Sequence, residues 1–319
     1  MLKYIFATLF IFSSAFSFGQ KNHFKDEKLP WIKFYWKGDK LGKQYYDKAY
    51  MYVPVKIQDL PNQFDAQFDL GSIVTVLYGR PVASYQKQLP ELQQTNDTLH
   101  IKGRKFPLLK NVTLHLDQVT FPNLSVVKMN DFGKNIPADS INTGTVRHIG
   151  TIGTDIFKDK VLIIDYPNQR MCTVDSLPLS VSNNVYFFTT KFNSEDRVSI
   201  AFKMGKQTSY LMFDTGSSIM TVHTLTENAA LITDPKSSVI DSLPMSTWGK
   251  INYTYKKKIN KTLSMGKFKL KDQYVYYSDH AVSSPKFFSD NGIFGYTGNV
   301  FFLDKVVVID FKNKKMGVL

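Results

Sequence analysis

FDTGSS, residues 213–218, closes the apolar run Tyr210-Leu211-Met212-Phe213, and FDLGS, residues 68–72, closes an earlier stretch of alternating apolar residues. A carboxylate placed after a buried strand and before a glycine sits where the strand breaks into a tight turn, half desolvated and aimed outward. One such turn is only a turn. Two of them, with Asp69 and Asp214 separated by 145 residues, raise the question of whether the chain repeats itself.

Other residues keep the same offset. Asp159, Lys160, Asp165, Asn168 and Met171 line up with Asp304, Lys305, Asp310, Asn313 and Met316, all at 145. Ile152-Gly153 and Phe294-Gly295 differ by 142, which a three-residue insertion around 296–298 would explain. Each copy carries short alternating or β-branched runs at 50–57, 112–116, 161–164, 198–202, 274–277 and 306–309, punctuated by Pro, Gly, Asn and Asp. The pattern predicts an all-β chain, mostly strands with short helices. The best helical stretches, 81–92 and 225–231, each follow an FD-GS turn, and the Pro, Ser and Asn of 175–184 mark a boundary between the copies.

Residues 1–19 have the charge, apolar run and small-residue end of a secretory signal, and that run is too short to span a bilayer. No cysteine follows it to take a lipid anchor. The single cysteine, Cys172, allows no internal disulfide and is expected to pack as a small apolar residue. A net charge of +13 is spread thinly, densest at Lys256-Lys257-Lys258 and 312–315, which describes a solvated basic surface and not a nucleic-acid site. Asn-x-Ser/Thr triplets begin at Asn96, Asn111, Asn123, Asn252 and Asn260 and fit surface loops. The histidines at 23, 100, 115, 148, 223 and 280 form no metal-binding pattern; His223 is expected as a turn residue with satisfied partners. Serine catalysis lacks its GxSxG elbow, and the Gly-rich 143–153 lacks the Lys-Ser/Thr end of a phosphate loop.

Two copies of one β unit packed about a pseudo-twofold axis bring equivalent turns face to face, so Asp69 and Asp214 are expected to meet. Two carboxylates a few ångströms apart do not both ionise easily; one stays protonated, and the pair can act as base and acid on one water. The ionised member would deprotonate water for attack on a peptide carbonyl while the other hydrogen-bonds the oxyanion. Such chemistry calls for no metal, cofactor or covalent intermediate.

On these residues the chain resembles the pepsin-like aspartic proteases, relatives of the retropepsins, whose two lobes each carry an Asp-Thr-Gly-Ser/Thr turn. The resemblance implies a bilobal acid-protease fold with Asp69 and Asp214 as the catalytic pair and Gly71 and Gly216 allowing the turns. It implies that Ser72 and Ser217 hydrogen-bond the outer carboxylate oxygens and that Thr215 clasps the opposite lobe. Ile293-Phe294-Gly295 resembles the apolar-apolar-Gly segment beside the second turn, and Thr151-Ile152-Gly153 a degenerate first. Two departures stand out. Leu70 occupies the place of the first threonine, so half of the reciprocal clasp is missing, and 98–116, with a hairpin-like Lys102-Gly103-Arg104, has no flap tyrosine. Trp248-Gly249 is expected to mark a hairpin over the second lobe.

The expected organisation is a signal at 1–19, an N-terminal strand or cover at 20–46, and lobes at 47–180 and 181–319. The expected protein is an exported, periplasmic or secreted monomer without a membrane anchor that hydrolyses polypeptides. The alternative is a weak or inactive relative that binds peptides or inhibits a protease, which would keep the scaffold and tolerate Leu70. A protease needs both carboxylates for turnover; a binding module keeps its ligand when either becomes asparagine.

Overall fold

The strands Val161–Asp165 and Val306–Asp310 lie antiparallel with Ile163 opposite Val308. Those two residues are themselves 145 apart, so each strand faces its own copy and a pseudo-twofold axis passes between them. Each strand then enters a hairpin whose chemistry explains the repeated Asp and Asn. Asp165 accepts from the backbone and side-chain amides of Asn168, Asp310 from those of Asn313, and Gln169 and Lys314 take the left-handed conformation that closes each turn. The strands Arg170–Val174 and Lys315–Val318 carry this six-stranded sheet outward to Ile32–Lys33 at one edge and Tyr186–Phe187 at the other.

The computed structural model describes residues 24, 28–85, 88, 92, 94–101, 104–247, 250–270, 273–278 and 284–319. The expected signal at 1–19, the Lys102-Gly103 tip, Trp248-Gly249, His23, His280 and positions 86–87 and 89–91 of the first expected helix lie outside them. Among the described residues no helix is long and apolar enough to cross a membrane.

The chain is mostly β and two-lobed: an eight-stranded sheet comes from the first half and a ten-stranded sheet from the second, with the six-stranded sheet shared beneath both. In each lobe the strand leading to an FD-GS turn, Phe64–Phe68 or Gln207–Phe213, runs parallel to a later strand, Arg147–Ile152 or Gly295–Thr297. That later strand lies antiparallel to the one leaving the turn, Val76–Tyr78 or Val222–Thr224. Insertion of the late strand between the two arms of the turn holds each aspartate at the end of its sheet. All six expected strand runs fall inside observed strands. Helices Gly79–Tyr85 and Thr226–Ala230 form where short helices were expected, and Pro285–Asn291 is an addition. Its signals are nonetheless in the sequence: Ser284 caps the N-terminus, Pro285 starts the helix and left-handed Gly292 ends it.

Register corrects one expectation. Ala66 pairs with Gly150 and Leu211 with Gly295, while Phe68 pairs with Ile152 and Phe213 with Thr297. The copy of Phe294-Gly295 is therefore Ile149-Gly150 and not Ile152-Gly153, and no insertion is needed at 296–298. Both glycine pairs of the repeat have a steric cause. A Cβ at Gly150 or Gly295 would strike the carbonyl oxygen of Val76 (2.1 Å) or His223 (2.5 Å) on the adjoining strand, and one at Gly153 or Gly298 that of Ser72 (2.9 Å) or Ser217 (2.0 Å).

Apolar residues line both faces of the shared sheet. Leu162, Ile164, Val307, Ile309 and Met316 join the main core, whereas Val161, Ile163, Val306 and Val308 pack with Cys172 on the other side. Cys172 is thus an apolar core residue, its thiol pushed up to about 12 by burial. Because Ile163 sits at the axis, Ile163→Ala is expected to cost about 2–5 kcal/mol. The check is the urea midpoint, which should fall with the slope of the transition unchanged.

Candidate active site

Asp69 and Asp214 meet where the two turns face each other. The backbone anchors them alike: the Asp69 N–H donates to Ile152 O at 3.0 Å and the Asp214 N–H to Thr297 O at 2.9 Å. The glycines explain the approach. A Cβ on Gly71 would lie 2.6 Å from the Asp214 carboxyl carbon, and a Cβ on Gly216 would lie 2.6 Å from that of Asp69. Each turn therefore cradles the carboxylate of the other lobe in space that only glycine leaves free. The two carboxyl groups face each other across the lobe interface, and burial followed by the facing Asp214 carboxylate pushes Asp69 well above the ordinary carboxylate range.

Donors around the pair are unequal. Asp214 accepts from the Gly216 N–H (2.9 Å), the Ser217 N–H (3.2 Å) and the Ser217 hydroxyl (2.8 Å). The Asp69 carboxylate accepts from the Gly71 N–H at 2.8 Å, the Ser72 N–H donates to the Asp69 main-chain carbonyl at 3.1 Å, and the Ser72 hydroxyl turns away to the Val74 carbonyl at 2.7 Å. The expected role of Ser72 at the outer oxygen is corrected accordingly; Ser217 fills its own. With one hydroxyl donor fewer, Asp69 is the member that holds a proton more readily.

Thr215 spans the lobes with one hydroxyl, which accepts from the Leu70 N–H at 2.8 Å and donates to Phe68 O at 3.0 Å. Leu70 offers nothing in return; it is 2% exposed and packs into the main core. The second turn has another support that sequence reading missed. Asn299 donates to Thr215 O and to the Ser218 hydroxyl, and accepts from the Tyr166 hydroxyl at 2.6 Å, so a residue of the first half braces the second turn from beneath. Its counterpart by offset is Thr154, and the first turn is instead held by Asp155, which accepts from the Thr75 N–H and hydroxyl. No motif announces these braces; the one signal is that Asn299 adjoins Gly298, which with Gly153 keeps the 145 spacing.

Above the pair lies a cleft of about 260 Å³. Its first-lobe wall includes Val76, Tyr78, Met129 and Phe132, and Pro244 and Met245 come from the second-lobe hairpin of Asp241–Thr247 and Lys250–Lys258. Tyr78, nine residues beyond Asp69, presents a hydroxyl hydrogen-bonded to Thr151 at 3.0 Å, and gives the cleft a buried tyrosine that the 98–116 hairpin lacks. Asp65, His148 and Tyr35 form a separate hydrogen-bonded group whose His148 ring packs against Tyr78.

His223 differs from expectation. It lies within the strand Val222–Thr224, 1% exposed, and neither ring nitrogen has a hydrogen bond. Burial pushes it down to about 4, against the attraction of Asp214.

No protein-family model and no curated protein matches the sequence. Among solved structures the fold is similar to a crystal structure of an aspartic proteinase from Irpex lacteus, at 13% identity and a TM-score of 0.46, covering 90% of this chain and 96% of that one. So distant a likeness leaves the chemistry to be read from the geometry of the two turns.

The His223 ring gives a signed prediction. The folded state holds the ring neutral down to about 4 while the unfolded chain takes a proton near 6.5, so its share of stability is full above 6.5 and is lost as pH falls to about 4. The loss over that window is on the order of 3 kcal/mol. His223→Leu is expected to flatten the stability curve between pH 6.5 and 4 in chemical denaturation; curves parallel to the parent protein would contradict this reading of the ring.

Proposed function

We propose that this protein hydrolyses peptide bonds with a water activated between Asp69 and Asp214. The observation that carries the proposal is the mutual cradle, in which Gly71 and Gly216 let two carboxyl groups come together at the floor of a cleft. A purely structural turn has no use for a second carboxylate pressed against the first, since desolvating the pair works against folding.

In the proposed step Asp214 is the base and Asp69 the acid. Water bound between them gives a proton to the Asp214 carboxylate as its oxygen bonds to the peptide carbonyl carbon. The protonated Asp69 donates a hydrogen bond to the carbonyl oxygen as charge develops there. Collapse of the tetrahedral species breaks the C–N bond, and the proton taken up by Asp214 passes to the leaving nitrogen. Polypeptide is the substrate class because the cleft is a groove with an apolar wall and a polar floor. The stretch 1–19 fits export, and the protein is read as a periplasmic or secreted monomer.

Leu70 favours a second reading as a peptide-binding relative without turnover, since Thr215 clasps the first turn and no hydroxyl from Leu70 clasps the second. The experiment that separates the readings is cleavage of a mixed peptide library from pH 3 to 7. Activity is expected on the acid side and to fall as pH rises through the raised ionisation of Asp69. Asp214→Asn and Asp69→Asn are each expected to lose at least about a hundredfold in kcat. Ser217→Ala, which removes a hydroxyl donor from the base, is expected to lower kcat by about tenfold, whereas Ser72→Ala, whose hydroxyl points to Val74, leaves kcat nearly unchanged. Folded protein that cleaves nothing but retains peptide in both asparagine variants would establish the binding reading instead.

A further inference from the structure

The two lobes differ in length at two places beside the cleft, and those places touch. Val198, where the second-lobe strand Val198–Met204 begins, corresponds by offset to Val53, whereas the first-lobe strand Gln44–Ile57 starts well before it. With Tyr35–Leu41 this surplus makes an arm that turns at Gly42-Lys43. The second difference follows the aspartates. Eight positions separate Phe68 from Val76, and ten separate their register equivalents Phe213 and His223. The longer second-lobe turn carries Ile219 and Met220, which pack with Leu41, Ala49 and Tyr50 of the arm in one apolar cluster with Met245.

Polar contacts latch the arm to the second lobe. The Lys43 N–H donates to the Asp241 carboxylate at 2.9 Å, and left-handed Gly42 lies so close that a Cβ would sit 2.7 Å from the carboxylate oxygens. Buried Lys256 donates to the Gln44 side chain and the Tyr46 hydroxyl, each at 3.2 Å. Ser218, four residues after Asp214, donates its hydroxyl to Lys48 O at 2.9 Å. That hydroxyl is thereby taken by the arm before any chain lying in the cleft can reach it.

We propose that the arm walls off one end of the cleft, so that a bound polypeptide extends out of it on one side of the reacting bond only. The site then favours short peptides and chain ends over internal segments of long chains. This rests on the proteolytic reading for its substrate and on the arm for its length limit. Leu41, Ala49 and Tyr50 line the same cleft as both aspartates, and its volume of about 260 Å³ is below the roughly 300–1,000 Å³ of ordinary ligand pockets. An extended peptide running past the dyad in both directions has no room beside a latched arm.

The test uses three labelled peptides: Ala-Ala-Phe-Leu-Ala-Ala, chosen for the apolar wall, and the same core lengthened by six Gly-Ser residues at the N-terminus or at the C-terminus. Binding is measured by fluorescence anisotropy on the Asp214→Asn protein, and cleavage on the parent protein. The expected result is that lengthening one end, and not the other, weakens Kd by about tenfold or more, as steric exclusion with lost backbone hydrogen bonds requires. Two further variants keep the question open to refutation: one with 38–49 replaced by Asn-Gly, and the double change Asp241→Ala with Lys256→Met, which unlatches the arm without shortening it. Either is expected to bring the penalised peptide to within about threefold of the core. Equal binding of all three peptides, no restoration in either folded variant, or no binding of any peptide would overturn the proposal. One-sided binding without cleavage at any length would leave the arm standing and remove the proteolytic reading.

Discussion

Two carboxyl groups pressed together at a lobe interface are the constraint on which the rest of this structure depends. Asp69 and Asp214 repel when both are charged, and burial strengthens the repulsion. They stay together because the backbone leaves them no alternative. Each aspartate N–H is tied to a strand threaded through its own turn, each turn glycine receives the opposite carboxylate, and Thr215 ties Leu70 and Phe68 to the second lobe. Sharing one proton is the least costly answer to that geometry, and it is the state from which the proposed hydrolysis starts.

Symmetry supplies the meeting and asymmetry supplies the roles. The Ile163–Val308 pairing fixes the axis, so equivalent turns converge. From there the lobes diverge. Ser217 points at its aspartate and Ser72 does not; Asn299 and Tyr166 brace one turn and Asp155 and Thr75 the other; a leucine replaces one clasping threonine. The arm around Gly42-Lys43 is the largest departure and the only one that reaches across to the other lobe's cleft wall among those described.

Much of this was legible in the order of residues because it rests on local chemistry repeated at one spacing. Asp-x-Gly marks a turn wherever it falls, and an aspartate three residues before an asparagine closes a hairpin by itself. What escaped depended on long-range contact. Gly150 is the exception: it lies 145 before Gly295, so the repeat spacing alone assigns it, and the pairing of Ala66 with Gly150 agrees. The Ser72 hydroxyl goes to the Val74 carbonyl, a choice made by the turn's fine geometry. His223 looked like a turn residue because two additional positions after Asp214 place it in the following strand. The latch between Lys43 and Asp241 joins residues 198 apart, and nothing near either one announces the other.

The measurement that bears most directly on the shared proton is a carbon-13 NMR titration of protein labelled at the aspartate carboxyl carbons, with Asp69→Asn and Asp214→Asn used to assign the pair. A single proton held between the two predicts an Asp69 resonance that titrates well above the ordinary carboxylate range and returns toward it when Asp214 becomes asparagine. Two resonances that titrate independently at ordinary carboxylate values, each indifferent to replacement of the other, would mean that the carboxyl groups do not share a proton and that the turns are structural.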